Sequence, residues 1–248
     1  KYRIDVLKNV ISPFTGFDKE LFTYLKDLGN NNNILWFNEN KQRYTDLLIT
    51  PAKAYINEMG NFFNALNPAI RTEPKFNTTI MRLNKDMRFA KGEPYRNYLL
   101  IHFGKFKMDS EFFLYFDPNE CQIGLFINGS KDKELFFKEN IQKYAKEIED
   151  VCKRYKINNN YALYEMNKEP DFVDGKFNFK KHYDFMVKHK YLILQKIITP
   201  EQLKLFSAEL LSESVKIFYS LYPLYCFAIS PEPLALIQKF EDMFEMDF

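Results

Sequence analysis

Glycine is scarce in this sequence, with only eight in 248 residues, and none falls in a G-x-G-x-x-G or G-x-x-x-x-G-K-[ST] pattern. The loops that cradle nucleotide phosphates with bare backbone N–H groups therefore have no visible source. H-E-x-x-H, G-x-S-x-G and EF-hand loops are missing too, which disfavours the known zincin, α/β-hydrolase and calcium sites. The three cysteines, Cys121, Cys152 and Cys226, stand far apart and form no C-x-x-C pair. That excludes a disulfide framework and a cysteine zinc site and fits a reducing compartment. Charge of one sign is also lacking: 35 basic against 33 acidic residues leave a formal net charge of +2. No global field would draw the chain to a phosphate backbone, which argues against nucleic acid as a partner. The longest nearly unbroken apolar run, "LYPLYCFAI" from Leu221 to Ile229, is about half of the roughly 18 residues a spanning helix needs, so no membrane partner is expected. No signal peptide is visible at "KYRIDVLKNV", and a cytoplasmic location is expected, although the chain opens on Lys1 and a leader or tag could precede it.

What the chain does have is aromatic bulk: 26 Phe and 16 Tyr beside a single Trp. Those rings must carry much of the core. The length suits one large domain, expected over residues 14–248 after a short N-terminal extension over 1–13. In "GFDKELFTYLKDLG", Asp18 can cap a helix, Phe17 and Phe22 can form a hydrophobic staple, and Gly29 can stop it. The run "NNNN" from Asn30 to Asn33 reads as a turn and a fresh cap. A second helix is expected through "ILWFNENKQRYTDLLI". A third follows Pro51, where Ala52, Tyr55, Ile56, Met59, Phe62, Phe63 and Leu66 recur at helical spacing.

From Thr78 the texture changes to short β-branched and aromatic runs, "TIMRL", "YRNYLLIHFGKF", "EFFLYFD" and "CQIGLFI", which predict an antiparallel meander. The stretch "KDKELFFKENIQKYAKEIEDVCKRYK" predicts one long amphipathic helix, followed by strands at "YALYEM" and "YLILQKII". Thr199, Pro200 and Gln202 in "TPEQ" predict the start of a helix running to Leu221, and "SPEPLALIQKFEDMF" predicts a last one. The sum is an α+β fold: an antiparallel sheet of about four to six strands packed against an N-terminal helical layer and C-terminal helices.

Chemistry-bearing pairs are few. His182 and His189, seven residues apart, could share a helix face with Asp174 or Asp184 as a third ligand. The spacing is looser than metal sites show, so no metal is assigned, and no cofactor is implied. Cys121 with His102 across the meander could make a nucleophile pair, but Glu120 and Gln122 flank the thiol, and nothing there would lower its pKa. Carboxylate pairs such as Glu147 with Glu149 read as solvated charges. No nucleophile or acid/base pair can be named, so whether the chain is an enzyme stays open.

The candidate site is "TIMRLNKDMRFAKGEPY", where Arg82, Lys85, Arg88 and Lys91 place four positive charges in ten residues. If "TIMRLN" is extended, Arg82 and Asn84 share a polar face while Met81 and Leu83 take the other. Guanidinium forks suit phosphate or carboxylate, and Tyr95 could add a hydroxyl donor. Trp36 and Tyr44 on the second helix could supply an aromatic wall. The expectation is a small anionic ligand held by Arg82, Lys85, Arg88, Lys91 and Tyr95. Two alternatives stand beside it: an interaction or structural domain in which the stretch is an internal salt-bridge network, and single-stranded nucleic-acid binding. No protein partner is named by the sequence.

Three segments in order, "NNNILWFNENKQRYTDLLITPAKAYI", "IMRLNKDMRFAKGEPYRN" and "FFLYFDPNECQIGLFI", resemble the family catalogued as domain of unknown function 2461. The resemblance spans about Phe14 to Ile229. Its most specific element is an Arg-x-x-[Arg/Lys]-Asp-x-Arg-Phe signature, carried by Arg82, Lys85, Asp86, Arg88 and Phe89, with Pro94-Tyr95 following. "AKGEPYR" is one residue shorter than the family's usual continuation and lacks its Asp-Lys pair. The resemblance implies the fold outline and assigns no activity.

Overall fold

The computed structural model of the protein describes residues 13–88 and 91–244. Residues 1–12 of the expected extension, and Phe89 of the signature, lie outside the described residues. The chain divides into two compact units. The first is Lys1–His102, Tyr115–Cys121 and Ile198–Glu213, and the second is Phe103–Leu114, Gln122–Ile197 and Ser214–Phe248. The fold is α+β, with an antiparallel sheet of six strands and helices before and after it in the chain.

The first unit opens on α1, Glu20–Asn30. Asp18 acts from just outside the helix, its carboxylate accepting the Glu20 N–H at 2.9 Å. Phe17 and Phe22 are both buried and meet on a shared ring, Phe116, at centroid distances of 4.6 and 6.0 Å. The second helix is expected as one piece, but the chain divides it. α2, Ile34–Glu39, ends at Asn40 (φ −104°, ψ 14°), and α3, Lys41–Tyr44, runs into a π turn over Thr45–Ile49. Pro51 explains the irregularity, since it has no N–H to give the carbonyl of residue 47 and its ring crowds that oxygen. The chain widens there, and the Thr50 N–H reaches back to the Thr45 carbonyl. α4, Thr50–Leu66, then buries Ala52, Tyr55, Ile56, Met59, Phe63 and Leu66 at the predicted spacing.

The sheet runs β1-β2-β3-β6-β4-β5. β1 is Leu99–Phe103, β2 Glu111–Phe116 and β3 Cys121–Asn128, the predicted meander. In β1 the side chains alternate: Leu99, Ile101 and Phe103 are buried while Leu100 and His102 are half-buried. "TIMRL" is not a full strand; it makes only isolated bridges, described below.

In the second unit the expected long helix breaks at Tyr144 (φ −119°, ψ 31°) into α5, Phe137–Lys143, and α6, Ala145–Arg154. β4, Ala162–Met166, lies antiparallel between β5, Pro170–Asp174, and β6, Tyr191–Ile198, with Tyr164 opposite both Phe172 and Ile193. α7, Phe179–Lys188, precedes β6 and is capped by the Asn178 side chain. Thr199 does not open a helix. A turn and a 3₁₀ segment, Leu203–Phe206, come first, and α8 is Glu209–Ile229. α8 carries Pro223 in its interior and absorbs the whole "LYPLYCFAI" run, since burial of Leu221, Tyr222, Leu224, Tyr225 and Phe227 outweighs the missing backbone donor. α9, Pro233–Phe244, follows the Ser230 turn, whose hydroxyl accepts the Glu232 N–H at 3.0 Å. Among the described residues no helix is long and apolar enough to cross a membrane.

Candidate functional site

The signature lies on an irregular two-limbed ladder inside the first unit. The Met81 N–H donates to the Leu100 carbonyl at 3.0 Å, Arg96 to Leu83 at 2.8 Å and Lys85 to Pro94 at 2.8 Å. Ile80 bridges Ile101, and Asn84 bridges Tyr95. The outgoing limb thus advances four residues while the returning limb advances six, and this extra length is why the pairing never becomes a regular strand. Local alternation survives: Leu83 is buried while Arg82 and Asn84 are on the opposite side, less enclosed. Upstream, Asn77 adopts φ +62° and gives its N–H to the Ile80 carbonyl at 2.9 Å, a tight turn that sets Phe76 beside Arg82. The Arg82 guanidinium sits over the Phe76 ring, 5.9 Å from its centroid.

A second wall comes from α2 and α3. Asn33 caps α2, its side-chain oxygen accepting the Trp36 N–H at 3.0 Å, as the asparagine run predicts. Phe37, Lys41 and Tyr44, at i, i+4 and i+7, line the same cavity. Phe37 stacks on Tyr95 at 4.2 Å and touches Tyr44 at 5.3 Å. Arg43 is turned elsewhere, to Asp27 at 3.2 Å and Glu20 at 3.6 Å on α1, and so fixes the α3 rotation.

Between these walls lies a cavity of about 360 Å³ lined by Phe37, Asn38, Lys41, Tyr44, Phe76, Arg82, Asn84 and Tyr95. Among the described residues, the lining holds two cations and no acid. Neither Lys41 nor Arg82 has a carboxylate within 4.0 Å among the described residues. Burial pushes the Tyr44 phenol up to about 12, against the opposing pull of Arg82, so at neutral pH it is a hydroxyl donor. Among the described residues, the lining carries no thiol, imidazole or carboxylate. The arrangement can therefore grip an anion, and it offers no general base of the usual kinds.

Of the sequence candidates, Arg82, Tyr95 and Tyr44 come together here, and Lys85, Arg88, Lys91 and Trp36 are outside the lining. Arg88 closes a local ring with Asp86, donating from Nε at 3.0 Å and from an Nη at 2.8 Å, which holds the Asp86 carboxyl below its usual range. Lys85 is half-buried and Lys91 exposed. Trp36 packs on Tyr24 at 5.7 Å. Phe37, Asn38, Lys41 and Phe76 were not singled out by sequence. The helical repeat of Phe37, Lys41 and Tyr44 was the available signal.

Elsewhere, the chemistry considered from sequence resolves into structure. His182 and His189 answer to different acids, Asp174 at 3.2 Å and Glu165 at 2.7 Å. Cys121, Cys152 and Cys226 are free and buried, and burial raises each thiol pKa.

A family model described as a conserved hypothetical protein (DUF2461) matches residues 20–227. That span contains both walls of the cavity. Comparison with curated proteins gives no match.

Proposed function

The chain belongs to the conserved hypothetical protein (DUF2461) family, and we propose that it binds a small phosphate- or carboxylate-bearing ligand between Lys41 and Arg82. One observation carries this reading: two cations from opposite walls face one cavity, with no carboxylate among the described residues to neutralise them. A guanidinium left unpaired beside aromatic rings is a ready partner for a planar or tetrahedral oxyanion, and the Tyr44 hydroxyl adds a neutral donor. The neighbouring arginines fit a structural role instead. Arg88 pairs with Asp86, and Arg96 donates to the carbonyls of Arg82 and Asn84 at 3.1 and 2.9 Å, tying down the ladder that carries the site. A cytoplasmic setting goes with the three buried, unpaired thiols.

The test is thermal unfolding of the wild type, Arg82→Ala, Lys41→Ala and Arg88→Ala with inorganic phosphate, sugar phosphates, nucleotides and dicarboxylates. A ligand at a hundredfold its dissociation constant adds about 2.7 kcal/mol of stability and moves the midpoint by several degrees. The wild type and Arg88→Ala should shift, and Arg82→Ala and Lys41→Ala should not. If no anion shifts the wild type, or Arg82→Ala shifts as fully as the wild type, the reading is wrong.

A further inference from the structure

The cavity carries more than cations. Asn38 and Asn84 also line it, and neither side chain has a hydrogen-bond partner among the described residues. A carboxamide presents a donor and an acceptor side by side, the complement of a nucleobase edge that does the same. The asparagines come from opposite walls, Asn38 from α2 and Asn84 from the ladder, as do Lys41 and Arg82. Phe37 and Tyr95 are stacked on each other, and the half-buried rings of Tyr44 and Phe76 supply the surface against which a flat heterocycle packs.

Charge and size narrow the ligand further. Two uncompensated cations balance a phosphate monoester, which carries close to two negative charges above pH 7, better than a lone carboxylate. The volume of about 360 Å³ sits at the lower end of the roughly 300–1,000 Å³ typical of small-ligand sites, room for one nucleotide unit. Resting on the anion reading above, we infer that the ligand is a nucleoside monophosphate unit, its phosphate between Lys41 and Arg82 and its base edge read by Asn38 and Asn84.

The experiment is calorimetric titration of inorganic phosphate, ribose 5-phosphate, uridine, UMP and AMP into the wild type, Arg82→Ala, Asn38→Ala and Asn84→Ala. Both asparagines are exposed, and the backbone of Asn84, not its side chain, makes the ladder contacts, so the variants keep the fold. At least one of UMP and AMP should bind about tenfold or more tighter than ribose 5-phosphate, in line with about 1–3 kcal/mol for a two-point base contact. Asn38→Ala and Asn84→Ala should weaken that nucleotide toward ribose 5-phosphate and leave ribose 5-phosphate unchanged. A 5′-phosphorylated dinucleotide separates two sources of the same unit: tighter binding than the mononucleotide assigns a strand end, weaker binding a free nucleotide. If ribose 5-phosphate binds the wild type as well as either nucleotide, the base inference falls and anion binding stands. If none of these phosphates binds, the base inference falls, and the anion reading falls with it unless a dicarboxylate shifts the wild-type unfolding midpoint.

Discussion

Asn32 holds Tyr95 by both ends of its backbone. Its Oδ1 accepts the Tyr95 N–H at 3.0 Å and its Nδ2 donates to the Tyr95 carbonyl at 2.9 Å, with a further contact to the Glu93 carboxylate at 3.1 Å. A side chain thus does the work of a neighbouring strand, fastening the returning limb of the ladder to the turn between α1 and α2. Tyr95 is itself buried and stacked on Phe37, so the same contact sets the depth of the cavity.

Asn32→Ala should therefore cost about 1–3 kcal/mol, because it leaves a partly buried N–H and C=O without their partner. Asn32→Asp keeps the acceptor but sets a negative charge against the Tyr95 carbonyl and Glu93, and should be at least as damaging at pH 7. Denaturant midpoints of the two variants check both statements. Wild-type midpoints in both would mean that Asn32 merely decorates the limb.

Periodicity made the scaffold legible. α4 shows its buried face from Ala52 to Leu66, and β1 its alternation, because one residue pattern in each case meets one continuous packing surface. The site was only half legible. Arg82 and Tyr95 sit in the basic stretch, but Lys41 and Asn38 arrive from some forty residues upstream, and no local pattern announces that convergence. The helical wall was read one residue out of phase: Phe37, Lys41 and Tyr44 keep the i, i+4, i+7 repeat across the break at Asn40, so Phe37 faces the cavity and Trp36 turns to Tyr24.

Asp109 should make the second unit more stable in mild acid. Its side chain is fully buried, accepting the N–H of Lys105 at 3.1 Å and of Ser110 at 2.7 Å. Burial, only partly offset by those bonds and by the Lys105 charge, and reinforced by Glu111, pushes its pKa up from 3.8 to about 6. Between those values the folded state binds a proton that the unfolded chain does not, so stability rises as pH falls from about 6 to about 4. The shift corresponds to roughly 3 kcal/mol. Unfolding free energies of the wild type and Asp109→Asn across pH 4–7.5 should diverge in that sense, and parallel profiles would show that the carboxyl is ionised at no cost.

Gly124 should tolerate no side chain. A Cβ built there would lie 2.0 Å from the Leu194 carbonyl oxygen and 2.8 Å from the Gln195 Cα, both backbone atoms of the neighbouring strand β6. Neither can rotate away, so β3 and β6 would have to part. Gly124→Ala should cost at least the roughly 1–3 kcal/mol of ordinary overpacking, whereas Gly92→Ala meets nothing within 4 Å and is strained only by its φ of +89°. Thermal midpoints of the two variants should rank accordingly, and equal midpoints would place the strain elsewhere.

Asp174 should act with the opposite pH sense to Asp109. Its carboxylate accepts from the Lys181 ammonium and from the Lys176 N–H at 2.9 Å, and meets His182 Nε2 at 3.2 Å. The Asn178 N–H donates to His182 Nδ1 at 3.0 Å, which leaves the ring proton on Nε2 to point at Asp174. This chain of bonds closes the turn between β5 and α7. Lys181 above all, then the Lys176 N–H, hold the Asp174 pKa well below its usual value. A depressed carboxylate contributes stability that is complete above the unfolded pKa and is lost as pH falls below about 4. Asp174→Asn should accordingly lower the denaturant midpoint at pH 7, with the gap to the wild type narrowing toward pH 3. A gap that stays constant from pH 7 to pH 3 would mean that Asp174 serves through shape and hydrogen bonding alone, with no contribution from its charge.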